Sequence, residues 1–118
     1  MVHIIEDDPI FAELIQKAVQ KAGDKNIQIF HNAIEAVQNL DETPDLIFLD
    51  ILLTGPDGFT YLNELASYPE TNQIPVVLVT SLDLQDQNLK PYGVVQILNK
   101  TTMKPQDVTE ATKRYARS

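Results

Sequence analysis

Side chains suited to chemistry follow four of the apolar runs in this sequence. Glu6 and Asp7 come directly after "VHII", and Asp50 interrupts the run "LIFLDILL". Thr80 ends "IPVVLVT", and Lys100 lies two residues beyond "VVQIL". An ionised carboxylate is costly to bury without partners, so Asp50 either marks the end of a buried strand or is kept there for chemistry.

These residue types suit phosphoryl transfer assisted by a metal ion. Three neighbouring carboxylates raise the pKa of at least one of them unless a positive charge lies in their midst. Oxygen donors without His or Cys favour Mg²⁺, which commonly binds one or two carboxylates, water and a phosphate oxygen. A carboxylate can attack phosphorus to give an aspartyl phosphate, and that reaction needs a metal, a lysine and a hydroxyl nearby. Lys100 and Thr80 supply the last two groups.

Short strands and helices alternate along the chain and would position these residues. Asp8 is a predicted N-cap of the first helix and Gly23 its end. The strands are predicted at residues 2–5, 27–30, 45–49, 74–80 and 94–98. The helices are predicted at residues 9–22, 33–40, 59–66 and 105–116, with a weak, polar candidate at 83–90. This alternation indicates an α/β fold with a parallel sheet covered on both faces.

The predicted strand ends bring the reactive residues to one place. In an open parallel sheet the carboxyl ends of the strands lie along one edge, and ligands bind there where the strand order reverses. In a flavodoxin-like sheet, strands one and three flank that point. Glu6, Asp7 and Asp50 would then converge, although many residues separate them along the chain.

Length and composition limit the classes of protein to consider. The 118 residues suit one domain, and a hydrophobic fraction of 43% is enough to fill one core. We expect a cytoplasmic protein without membrane contact, because the sequence has no bilayer-length apolar run and no signal peptide. The absence of Cys excludes thiolate chemistry, and the net charge of −8 argues against direct nucleic-acid binding. His3 and His31 fit no phosphotransfer or metal pattern, and we interpret both as structural.

The set "IIEDDP", "DLIFLDILLTGPDGF", "VVLVTS" and "LNK" closely resembles the receiver domain of two-component response regulators. The resemblance covers essentially the whole chain, and we expect a single receiver domain over residues 1–118. It implies a flavodoxin-like three-layer (βα)5 sandwich with a five-stranded parallel sheet of order 2-1-3-4-5.

The resemblance also implies a role for each candidate residue. Asp50 would be the phosphoacceptor, and Glu6 and Asp7 would hold Mg²⁺ directly or through water. Leu52 would offer its backbone carbonyl to the metal. The remaining two roles are a switch hydroxyl, Thr80, and a lysine that pairs with the phosphoryl group, Lys100.

Several positions depart from the usual receiver pattern. Ile97 stands where many receivers carry a Tyr or Phe that rotates inward, and Thr101 stands where the family usually has a proline in a cis peptide. The span from 80 to 100 is short, so a fourth helix would be reduced to a turn or two. Leu52 and Leu82 would border the phosphoryl group, and we hypothesise that they shield it and slow self-dephosphorylation.

The function implied is that of a stand-alone receiver. It would accept a phosphoryl group from a sensor histidine kinase or a phosphotransfer protein, and would catalyse only its own phosphorylation and dephosphorylation. Its affinity for an unknown downstream protein would change, through the family's usual surface on the fourth helix, fifth strand and fifth helix. One alternative is a pseudo-receiver that docks partners without regulation by phosphate, which Ile97 and Thr101 favour. A hydrolase of the haloacid dehalogenase type is a weaker alternative, because its phosphatase members want a second Asp where Leu52 stands.

Overall fold

The computed structural model describes residues 1–24, 26–53, 57–84 and 87–116. Its parallel sheet has the order β2-β1-β3-β4-β5, which confirms the predicted order. The strands are β1 (Val2–Ile5), β2 (Ile27–Phe30), β3 (Leu46–Leu49), β4 (Val76–Thr80) and β5 (Val94–Asn99). The α-helices of the described residues are α1 (Pro9–Lys21), α2 (Ala33–Gln38), α3 (Gly58–Ala66) and α4 (Pro105–Tyr115).

The predicted helix boundaries have clear local causes. The Asp8 carboxylate accepts a hydrogen bond from the Ile10 N–H at 2.9 Å, which caps the start of α1 as expected. Gly23 follows the end of α1 with a φ of +103°, a conformation that side chains disfavour. Asp57 caps α3 by accepting from the Thr60 N–H at 3.0 Å, so it serves turn and cap chemistry.

The sheet is covered on both faces, and neighbouring residues of a strand face opposite sides. Ile4 belongs to the core under α1 and α4, whereas Ile5 belongs to the core under α2 and α3. The Thr109 hydroxyl donates to the Ala18 carbonyl at 2.9 Å and joins α4 to α1. Buried on the first side are Ile15, Val19, Val108 and Ala111, and on the second Ala36, Tyr61, Leu62 and Leu65. This two-sided core fixes the strand register, and with it the position of each strand end.

The connection from β4 to β5 differs from the weak helix predicted at 83–90. The described residues of this span contain no α-helix, and a 3₁₀-helix at Lys90–Tyr92 precedes β5 instead. Leu84 and Leu89 are both buried, but they lie five positions apart and therefore cannot share one helix face. Residues 85–86 lie outside the described residues, as do residues 54–56 before α3.

Within the described ranges, every helix is too short or too polar to span a lipid bilayer.

Candidate functional site

The β1–β3 pairing brings the predicted carboxylates together. Ile5 pairs with Leu49, so the residues that follow, Glu6 and Asp50, leave the sheet side by side. The Asp50 N–H donates to the Ile5 carbonyl at 3.0 Å, and the Glu6 N–H donates to the Phe30 carbonyl of β2 at 3.0 Å. Both residues therefore have their backbones fixed by neighbouring strands.

The β4–β5 pairing positions the hydroxyl and the lysine in the same way. Thr80 pairs with Asn99, and the Lys100 N–H donates to the Thr80 carbonyl at 2.9 Å. Thr80 is fully buried, and its hydroxyl oxygen accepts from the Leu82 N–H at 3.3 Å. The strand ends thus place Thr80 at the same sheet edge as Lys100, whose ammonium contacts the carboxylates.

Glu6, Asp7 and Asp50 form an acidic cluster at this edge. One carboxylate oxygen from each residue lies within 4.8 Å of the other two. Glu6 is fully buried, Asp50 is 4% exposed and Asp7 is partly exposed. Hard oxygen donors at this spacing, open to solvent on the Asp7 side, suit a divalent cation of the Mg²⁺ type.

Lys100 supplies a positive charge among these carboxylates. Its Nζ lies 2.5 Å from Glu6 Oε1 and 2.9 Å from Asp50 Oδ2. The same Nζ lies 4.5 Å from the centre of the Phe11 ring, a cation–π contact. Phe11 was not among the candidate site residues of the sequence. No local pattern signals this contact, because it joins a residue of α1 to the residue that follows β5.

Burial and ion pairing set the protonation of this cluster. Burial raises the pKa of Glu6 to about 7; the hydrogen bonds from Lys100 and from the Asp8 N–H oppose that rise, and the Asp50 charge adds to it. Burial alone would lower the pKa of Lys100, but its hydrogen bonds and charge interactions with Glu6 and Asp50 outweigh burial and raise it. Lys100 is consequently a stable ammonium at neutral pH.

The backbone after Asp50 orients its carboxylate. The Leu52 N–H donates to Asp50 Oδ1 at 2.9 Å, while Lys100 holds the other oxygen.

Gly58 at the start of α3 donates its N–H to the Ile51 carbonyl at 2.9 Å. A Cβ added at Gly58 would lie 2.6 Å from Ile51 Cα and 2.8 Å from the Asp50 carbonyl oxygen. Gly58 therefore permits a close approach that no feature of the sequence had indicated.

The departures from the receiver pattern leave Lys100 in place. The described residues contain no cis peptide bond, and Thr101 instead bonds locally, its N–H donating to Asn99 Oδ1 at 2.8 Å. Ile97 and Leu82 are partly buried against the core on the α2–α3 side, whereas the Leu52 side chain is 48% exposed. The Leu52 carbonyl as a metal ligand stays a prediction.

This sheet order, with a carboxylate cluster and a lysine at its switch point, defines the receiver class of α/β proteins. Sequence comparison agrees: residues 2–113 match the family described as response regulator receiver domain. The chain belongs to that family.

Named relatives show how far the similarity extends. The DNA-binding dual master transcriptional regulator RpaA of Synechocystis sp. is 33% identical over 112 residues, which cover 94% of this chain and 45% of RpaA. Protein PilH of Pseudomonas aeruginosa is 27% identical over 104 residues, covering 88% of this chain and 84% of PilH. The chain spans less than half the length of several curated relatives that it matches, RpaA among them.

A solved structure shares the fold at low identity. The receiver domain of sensor histidine kinase PA1611 from Pseudomonas aeruginosa PAO1 superposes with a TM-score of 0.82 at 22% identity, covering 99% of this chain and 97% of that one. That crystal structure has a magnesium ion coordinated in its active-site cleft.

Proposed function

We propose that this chain is a phosphoacceptor response regulator that receives a phosphoryl group on Asp50 from a sensor histidine kinase or a histidine phosphotransfer protein. The observation that carries the proposal is the contact of the buried Asp50 carboxylate with Lys100 Nζ at 2.9 Å, inside a cluster with Glu6 and Asp7. The chain then acts catalytically only on its own phosphorylation and dephosphorylation.

Asp50 is the nucleophile in this reaction. A carboxylate oxygen of Asp50 forms a bond to phosphorus as the phosphorus–nitrogen bond of the donor phosphohistidine breaks and the imidazole leaves. The Leu52 N–H at 2.9 Å holds one oxygen of the carboxylate and leaves its plane fixed relative to the strand end. A fixed orientation lowers the entropy cost of reaching the attack geometry.

Lys100 and Thr80 bind the transferred group. The Lys100 ammonium now contacts two carboxylates, and a phosphoryl group on Asp50 gives it more negative oxygens to pair with. Thr80 lies at the neighbouring strand end, where its hydroxyl can donate to a phosphoryl oxygen and draw the following residues inward. The loop after Thr80 is thus the two-state element that the phosphoryl group biases.

Glu6, Asp7 and Asp50, with the Leu52 carbonyl, would hold Mg²⁺ at this site. The donor set fits: it offers three carboxylates within 4.8 Å of one another and no nitrogen or sulfur donor. When bound, the ion neutralises charge on the transferred phosphoryl oxygens. Calorimetric titration with MgCl₂ should show one site, and Asp7→Asn should weaken binding by about tenfold or more. An unchanged affinity in Asp7→Asn would contradict the metal assignment.

Phosphorylation is tested with small-molecule donors. The wild type, incubated with Mg²⁺ and either acetyl phosphate or phosphoramidate, should gain one phosphoryl group by intact mass. Asp50→Asn should gain none, and Asp57→Asn, which alters an exposed cap, should behave like the wild type. An adduct that persists in Asp50→Asn would disprove the acceptor assignment.

A second candidate is a pseudo-receiver that docks partners without phosphate control. Ile97 at the aromatic switch position and the lack of an α-helix among the described residues between β4 and β5 favour it. This candidate predicts no mass gain with either donor in the wild type. The same experiment therefore separates the two functions.

A further inference from the structure

Charged residues are strongly segregated along this chain. Between Asn26 and Leu89 the sequence has ten Asp and Glu residues and no Lys or Arg. Seven of the nine Lys and Arg residues lie instead in the segments 17–25 and 104–117. A net charge of −8 is thus far from evenly distributed.

In the folded protein, the two helical layers that cover the sheet differ in their charge. The helices of the first face, α1 and α4, carry four of the nine basic residues, whereas α2 and α3 cover the other face and lie wholly within the stretch without Lys or Arg. On α2 and α3, Glu35 is exposed and Glu64 is partly exposed. The α2–α3 layer therefore presents a negative field to any approaching protein.

An apolar groove runs between α2 and α3. Its volume is about 350 Å³. Ala33, Ile34 and Val37 line it from α2, and Thr60, Tyr61 and Glu64 line it from α3. Ile34 is 53% exposed, whereas Ala33 and Ala36 of the same helix are buried and Val37 is partly buried. The groove thus combines an apolar floor with a carboxylate on its rim.

We propose that the α2–α3 groove binds a basic amphipathic helix of a partner protein. Apolar anchors of that helix would cover Ile34 and Val37, and its Lys or Arg side chains would pair with Glu64 and Glu35. At 1.5 Å per residue, α2 and α3 are roughly 9 and 14 Å long, so the groove holds two or three turns of a helix. An interface of this size is weak and transient. None of its residues belongs to the phosphoacceptor site, so the inference goes beyond the proposed function.

A second copy of the chain is the less favoured occupant. The groove between α1 and α4 is lined by Lys17, Lys21 and Lys113, which would suit the acidic layer of another molecule. However, such a contact joins two different faces, so it would not close into a dimer. Two chains of net charge −8 also repel each other as wholes. A partner with its own positive charge meets neither obstacle.

The probe is a designed, fluorescently labelled Leu/Lys amphipathic helix of about 18 residues, long enough to hold helical structure. Anisotropy should show saturable binding, and amide NMR shifts should concentrate on α2 and α3. Ile34→Asp should weaken binding by about fivefold or more, whereas Ile10→Asp, at an isoleucine of α1 that is 80% exposed, should change it less than about twofold.

Charge-reversal variants distinguish binding in the groove from a general attraction of the basic probe to an acidic protein. Glu64→Lys and Glu110→Lys alter the net charge equally, but only the first should weaken binding more than about threefold. Equal effects of the two, shifts centred on α1 or α4, or no saturable binding would overturn the proposal. A concentration-dependent oligomer in sedimentation that is lost in both Ile34→Asp and Lys113→Glu would overturn it in favour of a second copy.

Discussion

The sheet edge that carries the proposed phosphoacceptor site has two sides, and they differ in how closely they follow the receiver pattern. On the β1–β3 side, Glu6, Asp7 and Asp50 lie together as the resemblance implies. On the β4–β5 side, Thr80 and Lys100 also lie at their strand ends, but the described residues between them form no α-helix. Ile97 stands there in place of an aromatic residue.

The acceptor chemistry and the signalling output of a receiver depend on different sides of this edge. Acceptor chemistry needs the carboxylates and the lysine, and strand register alone delivers them. Output needs a segment with two arrangements. Between β4 and β5, the described residues of this chain contain a 3₁₀-helix and no α-helix. We therefore expect ordinary receiver chemistry together with an output surface unlike the family's fourth helix.

Lys100→Met should have the largest effect, because Lys100 is the side chain of the β4–β5 side that contacts the carboxylates of the β1–β3 side. It removes the ammonium that lies 2.9 Å from Asp50 Oδ2, so phosphorylation by acetyl phosphate should slow by roughly 10- to 100-fold. Mg²⁺ affinity should stay equal or increase, because the carboxylates lose a competing cation. The rates are measured by intact mass against time.

Lys90→Met is the matched control, because Lys90 is exposed in the 3₁₀-helix. Its phosphorylation rate should equal that of the wild type. Equal rates in Lys100→Met and the wild type would show that the ion pair is only structural, and the comparison of the two sides would lose its chemical basis.

Gly58→Ala tests whether the β1–β3 side depends on close packing behind Asp50. The new Cβ would lie 2.6 Å from Ile51 Cα, so the start of α3 must shift away. We expect a loss of about 1–3 kcal/mol in the free energy of unfolding, measured in urea. Asn63→Ala, an exposed position on the same helix, should cost less than about 0.5 kcal/mol. Similar costs at both positions would contradict the packing argument.

A buried histidine gives the β1–β3 side its own pH dependence. His3 is fully buried, its ring lies edge-on to Phe30 with centroids 5.0 Å apart, and neither ring nitrogen has a hydrogen-bond partner among the described residues. Burial, aided by the N-terminal charge, lowers the pKa of His3 to about 4 from 6.5. Between these two values the unfolded chain binds more protons than the folded one, so stability falls as the pH drops through that window.

Replacing that residue by His3→Leu should flatten this dependence. The contribution lost by the wild type between pH 6.5 and 4 is at most about 3 kcal/mol. Urea unfolding at a series of pH values measures it, with His31→Gln as the control that keeps the buried ring. A slope unchanged in His3→Leu would assign the pH dependence to the carboxylates instead.

Sequence reasoning succeeded where one local signal decided the outcome. Asp8 and Gly23 bounded α1, and apolar runs identified the strands whose ends carry Asp50 and Lys100. Those ends determine most of the site, because parallel strands share one edge. Sheet order itself came only from the resemblance, since no local pattern encodes which strands are neighbours.

Interactions between distant segments were the ones that the sequence could not supply. The cation–π contact of Phe11 with Lys100 and the approach of Gly58 to Ile51 both join residues placed by different elements. Among its described residues, the span 83–90 forms no α-helix, and Leu84 and Leu89 are both buried there at a five-residue spacing that does not fit one helix face.

Leu52→Asn, beside Asp50, should have the smallest effect. Both Leu52 and Leu82 were expected to shield the acyl phosphate, but Leu52 is 48% exposed beside Asp50 whereas Leu82 packs against the core. An amide at position 52 can orient water toward the phosphoryl group, so the phosphoryl lifetime should shorten by about two- to fivefold. Leu82→Glu should add to that effect while also costing stability, because it removes a core contact.

The lifetime is followed by intact mass after removal of acetyl phosphate, with the exposed Leu52→Met as the apolar control. A lifetime that is unchanged or longer in Leu52→Asn with Leu82→Glu would place the control of dephosphorylation elsewhere, in Lys100 and its acidic partners.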